Sequence, residues 1–209
     1  MPVPAYPLYQ RLPGLVLAFH GCDESIGEGL LCGEMTHLDP SRNKYDWLGD
    51  GIYFWENDPL RAWEFAENGT RKSAGSKGHI KTPFVLGAII DLGFCLNLMD
   101  RRALDEVKFA HDVLQLSYVD SGEDVPINTG RNLGARYLDR AVIEMLHTVR
   151  SELDAMEQDG KFPSYDTVRS AFPEGNLLYP LSGFQAENHI QIAVRNTDCI
   201  KGYFRPMQE

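Results

Sequence analysis

Apolar residues run unbroken from Leu15 to Phe19 and stop at His20-Gly21, the pattern of a buried strand with a polar end. Asp23 can cap a short helix through Leu31, which Gly33 would close. Residues 36–47 are polar and contain Asp39-Pro40, so they read as a loop. Gly49-Asp50-Gly51 then opens into the β-branched and aromatic run Ile52-Tyr53-Phe54-Trp55, a second strand. Asn57-Asp58-Pro59 supplies a cap and a first-turn proline for a helix from Leu60 to about Asn68. Pro83 to Leu92 is apolar enough for a central strand. Two longer helices follow, Arg101 to about Val119 behind Asp100, and Ala135 to about Met156, where Leu138, Ala141, Val142, Met145 and Leu146 recur at helical spacing. Tyr165 to Phe172, behind Ser164, reads as a short helix. His189 to Val194 alternates as a half-exposed strand does, and Cys199 to Phe204 forms a last one. Short strands with helices inserted between them, and few strict helix–strand alternations, point to an α+β fold and not a doubly wound one.

With 209 residues, the chain suits one domain, or one domain carrying a long insertion. A chain of this size buries ~70% of its unfolded surface and needs no staples. Thirty acidic against twenty basic residues leave a net charge of -10. Such a surface repels phosphate at long range and disfavours a dedicated nucleic-acid or anionic-membrane binder. The stretch from Arg71-Lys72 to Lys81 is the one basic segment that works against this trend. The run Leu15 to Phe19 is far short of the ~20 residues of a membrane helix, and no cleavage-site pattern accompanies it. The cysteines (Cys22, Cys32, Cys95, Cys199) are scattered, without a CxxC, which reads as reduced thiols in a cytoplasmic protein.

Several familiar motifs fail on inspection. Gly27 to Gly33 spells GxGxxxG, one residue too long for the dinucleotide fingerprint and not preceded by a strand. There is no GxSxG, no Walker A loop and no HExxH. His20, Cys22, Cys32 and His37 cluster, but at no standard zinc spacing, so no metal is expected.

What remains is polar chemistry at three strand ends. At His20-Gly21 an imidazole can hydrogen-bond a ligand hydroxyl, while a glycine lets a planar group approach the backbone. Taken alone, His20 reads equally as a histidine satisfied by a backbone carbonyl. Tyr53 could offer a flat face for stacking, though a strand tyrosine is more often core. On the late strand, the two-residue period puts Glu187, His189 and Gln191 on one face and Ile190 and Ile192 on the other; alone, that polar face reads as solvated.

Taken together in this order, the three segments resemble the ADP-ribosyltransferase fold, on the branch shared with diphtheria toxin and the poly(ADP-ribose) polymerases. The matching text is Phe19-His20-Gly21, then Leu48 to Phe54 (L-G-D-G-I-Y-F), then Ala62 to Ala66, then His189-Ile190-Gln191-Ile192-Ala193-Val194. The His-Ile-Gln-Ile ending is similar to that of a small bacterial family. The resemblance implies a single domain, 1–209, with a split β-sheet core and an inserted helical segment over about 101–172. It implies NAD as substrate, with His20 on the adenosine ribose, the Gly21 backbone on the nicotinamide carboxamide and Tyr53 stacked on the nicotinamide ring.

Two positions depart from the family pattern. The second stacking tyrosine falls at Glu64, flanked by Trp63 and Phe65, of which Phe65 is the candidate substitute. The late-strand catalytic position falls on Gln191, which can orient a ribose hydroxyl but cannot act as a base, leaving Glu187 as the candidate carboxylate. The activity implied is mono-ADP-ribosyl transfer to a protein or nucleic-acid acceptor, in the setting of a toxin or defence effector with an antitoxin partner. An NAD glycohydrolase, an RNA 2′-phosphotransferase-like enzyme and a catalytically silent module that binds NAD or ADP-ribose remain open beside it.

Overall fold

The computed structural model describes residues 14–76, 78–130, 133–157 and 162–207. Asp23 both closes the first strand and opens the first helix: β1 is Leu15–Asp23 and α1 Glu24–Leu31, and the Asp23 carboxylate accepts the Ser25 N–H. Asp58 repeats the device before α2 (Pro59–Thr70), accepting the Arg61 N–H, with Pro59 preset for the first turn. The strand between them is β2 (Ile52–Glu56). After α2 come β3 (Pro83–Asp91), β4 (Cys95–Asn97), α3 (Arg101–Ser121) and α4 (Tyr137–Glu157). The chain then returns through β5 (Thr167–Phe172), β6 (His189–Val194) and β7 (Ile200–Phe204).

Among the described residues the strands make one seven-stranded mixed sheet in the order β4-β5-β6-β2-β1-β3-β7. All neighbours are antiparallel except β4 and β5, which run parallel and are joined by residues 98–166. One face packs Ala18, Phe54, Leu86, Ala88 and Ile192 against Leu30 of α1 and Leu38. The other is covered at one end by α3 and α4, whose Leu114 and Leu146 meet Leu96, Val168 and Ala193, and near β1 by α2, where Ala62 meets Phe19 and Trp55. The architecture is α+β, as the pattern predicts.

One element differs from its expectation. Tyr165 to Phe172 contains a strand and not a helix. Thr167 and Val168 are both fully buried, and their segment is zipped between β4 and β6 in register, Val168 opposite Leu96 and Ala193. Arg169 leaves by the other face and grips Glu56 with two nitrogens, at 2.5 and 2.8 Å. A run of six residues is too short for periodicity to separate the two states, and here tertiary pairing decides. The helical excursion therefore ends before residue 167, and β5 belongs to the sheet.

Candidate functional site

The sheet order sets β6, β2 and β1 side by side, so the three sequence segments that carry chemistry lie on adjacent strands. Their mutual geometry is decided by a break in the ladder. β1 and β2 register through only two pairs, Ala18 with Glu56 and Phe19 with Trp55. The Leu17 carbonyl accepts the Asn57 N–H, so Leu17, Phe19 and Gly21, two residues apart, turn their backbone groups towards β2. A continued ladder would give the Gly21 N–H to the Tyr53 carbonyl. That carbonyl instead accepts a hydrogen bond from His20 Nδ1 at 2.7 Å. The imidazole wedges the strands apart and leaves the Gly21 edge without a registered partner on β2.

His20 thus has the backbone-carbonyl partner that its isolated reading suggests, and more. A carbonyl only accepts, so Nδ1 carries the proton, and burial lowers the imidazole pKa, keeping the ring neutral. Nε2 is then a lone-pair acceptor. It has no protein partner among the described residues.

Gly21 answers a packing demand as well. A Cβ there would lie 2.1 Å from the Ala62 carbonyl oxygen, so α2 rests directly on the strand. Its sheet edge, in the plane of the strands, is the side turned to the break.

Tyr53 is half-buried among the residues under α4, and its hydroxyl donates to the Gly49 carbonyl (2.8 Å) and accepts from the Leu48 N–H (3.0 Å). Burial drives its pKa far above the ordinary phenol value, so the hydroxyl stays protonated. The turn it holds is bolted to α4: the Glu144 carboxylate accepts the Asp50 N–H (2.7 Å), and Arg195 donates to both Glu144 (2.8 Å) and the Asp50 carbonyl (3.0 Å). Gly49 has a φ of +81° and no room for a Cβ beside Glu144, which accounts for glycine at that position. By strand alternation the ring of Tyr53 and the ring of His20 lie on opposite faces of the sheet, joined through the Tyr53 carbonyl.

Gln191 stands on the Tyr53 face, in register with Trp55 on β2 and Ser170 on β5. Its Oε1 accepts the Trp47 indole N–H at 2.6 Å, and its amide nitrogen has no protein partner among the described residues. Glu187 lies two residues before β6 begins, at the end of the loop from Glu174, and its carboxylate sits 3.5 Å from Arg61. That guanidinium also holds Glu174 at 2.7 Å and, more closely still, Glu64. Burial opposes its charge, but the surrounding carboxylates raise its pKa overall.

Between Gln191 and Glu187 the predicted polar face is not solvated. The His189 side chain is fully buried, with its Nδ1 donating to the Glu187 carbonyl (2.8 Å) and its ring beside Trp55 and Phe172. Burial lowers its pKa. Phe65 of α2 packs its ring 5.2 Å from that of Trp55, on the same side of the sheet. The sequence reading missed Arg61, Glu174 and Trp47. No motif marks them, because each reaches the site from a different element; only the Asp58 cap fixes the place of Arg61 in the first turn of its helix. No group of three or more metal-ligating side chains is present among the described residues.

Compared with known proteins, the chain matches no family model, no curated protein and no solved structure. Among the described residues no helix is long and apolar enough to cross a membrane.

Proposed function

We propose that the chain is an NAD-dependent mono-ADP-ribosyltransferase whose substrate lies at the break between β1 and β2. The observation that carries this reading is the break itself. It sets an unregistered glycine edge beside a neutral histidine with an unpartnered acceptor nitrogen, on β1, which only β2 separates from the strand bearing Gln191. A ribose hydroxyl can donate to His20 Nε2, and a carboxamide can pair with a free backbone edge. The free amide nitrogen of Gln191, on the other face of the sheet, can donate to a hydroxyl of the second ribose where the dinucleotide passes through the break.

In the reaction the bond between nicotinamide nitrogen and ribose C1′ breaks, nicotinamide leaves with the bonding pair, and a bond forms from C1′ to the acceptor. The acceptor's proton is released. C1′ gains oxocarbenium character on the way, which favours preorganised dipoles and a nearby carboxylate. Glu187 is the candidate to take the acceptor proton, once freed from Arg61.

A binding-only domain is the competing reading, favoured by the fact that Gln191 Oε1 and the Glu187 carboxylate already have protein partners. Incubation with NAD labelled in its adenosine half, in cell lysate, separates the two. Label on a macromolecule together with free nicotinamide supports transfer. Nicotinamide release without labelling marks a glycohydrolase, and saturable NAD binding with no release marks the silent module. His20→Ala is expected to lower nicotinamide release at least tenfold with an unchanged unfolding midpoint, and unchanged release would remove His20 from the site.

A further inference from the structure

A cavity of about 370 Å³ lies between α3, α4 and β5, away from the break between β1 and β2. Its walls are Leu98, Leu104, Val107 and Val142, with Ser170 and the Trp47 ring among the lining residues. The volume lies in the range that encloses small ligands, and an apolar lining with a few convergent polar groups is the usual composition of such sites. The charged groups in the lining are Arg136, Lys108 and Asp139, with the His111 ring beside them. Arg136 lays its guanidinium over the rings of Trp47 (5.7 Å) and Phe172 (5.0 Å). It gives one Nη1 hydrogen bond to Asp139 (2.8 Å), while its Nε is buried without a partner. Lys108 lies along α3, loosely tied to Asp112 at 3.4 Å, and is mostly exposed. Asp139, the one acid in the lining, is paired with Arg136 and accepts a hydrogen bond from the Asn128 amide (2.8 Å).

We infer that this cavity binds a small amphipathic anion, an aliphatic or aryl carboxylate with its apolar body between α3 and α4 and its head group on Arg136 and Lys108. Trp47 links the cavity to the late strand, because its indole N–H is the donor that holds Gln191 Oε1. A ligand that displaces the Trp47 ring loosens Gln191, so occupancy is sensed on β6.

Sodium decanoate is the probe, titrated below its micellar range against the full chain while the indole N–H signals are followed by 15N–1H NMR. Trp47→Phe identifies the Trp47 signal, leaving those of Trp55 and Trp63. The expected result is a saturable shift of the Trp47 signal, larger than that of the other two. Leu104→Trp, which fills the cavity from a half-exposed position, is expected to abolish it. Arg136→Gln is expected to weaken binding about tenfold. Saturable binding that decan-1-ol matches would overturn the anion assignment. The cavity assignment falls if the Trp47 signal stays fixed, or if Leu104→Trp binds decanoate as the unmodified chain does. None of these readouts needs turnover, so the inference stands or falls apart from the NAD reading.

Discussion

At the level of single residues, the chemistry depends on which hydrogen-bond valences the fold uses and which it leaves. Gly21 illustrates a residue with two masters: its missing side chain is required by the Ala62 carbonyl above it, whatever approaches its edge. Gly21→Ala should therefore lower stability by about 2–3 kcal/mol through overpacking against backbone, measured as a fall in the urea midpoint of the ligand-free chain. Histidines supply the pH dependence. Burial first, then the Arg195 charge, lowers the His147 pKa to about 4. The folded value lies below the ordinary one, so between about pH 6.5 and 4 the unfolded chain holds a proton that the folded chain does not. Stability must fall as pH drops through that window, by at most about 1.4 kcal/mol per pH unit from this group. Urea titrations at pH 7 and pH 5 should show that fall, and a shallower one in His147→Gln. A wild-type midpoint that rises towards pH 5 would contradict the assignment. Residue identity alone could not reveal such things. The sequence marks His20, Tyr53 and Gln191 as polar strand residues, but not that His20 and Tyr53 face opposite sides, nor that Gln191 is held by an indole from a loop 144 positions away.

Among the secondary-structure elements, those with strong local signals form as read. Asp23, Asp58 and Asp100 each cap the helix that follows, and α3 and α4 carry a clear helical period. The elements that were not legible are the ones made by partners. β4 has three residues, and β5 is a strand because β4 and β6 flank it. Asp23 does more than cap: its second oxygen accepts the Lys81 (2.7 Å) and Thr82 (3.1 Å) N–H groups, tying the entry of β3 to the start of α1. A hydrogen bond donated by the Ser25 hydroxyl (2.7 Å) first, and then these backbone bonds, hold its carboxyl well below the usual range. Asp23→Ala should cost about 1–2 kcal/mol from the cap and raise amide exchange at Lys81 and Thr82 along with α1. If exchange rose only within α1, the tie to β3 would be unimportant. Asp58→Ala provides a comparison, because its cap starts the turn that aims Arg61 at Glu174 and Glu187. It should release the carboxylates as well as fray the helix, visible as raised amide exchange at Glu187 together with the first turn of α2.

For the molecule as a whole, the acidic balance bears on what approaches from a distance, while the break between β1 and β2 and the α3–α4 cavity are local environments that the net charge does not describe. The two sit at separate places along the sheet, with Trp47 in the cavity wall and its partner Gln191 on the β6 side of the break. The parallel pairing of β4 and β5 has a further consequence. Strands side by side in the same direction cannot be joined by a hairpin; the chain must travel back the length of a strand before it can re-enter. The helices between residues 98 and 166 are that return path, so they cannot simply be excised as an ornament. A truncation that replaces them with a tight turn should reverse or expel β5 and expose the flank of β6, whereas one that keeps a single helix as the crossover should preserve both. Any ancestor that lacked α3 and α4 must have carried another crossover in their place, or paired its sheet differently at this edge.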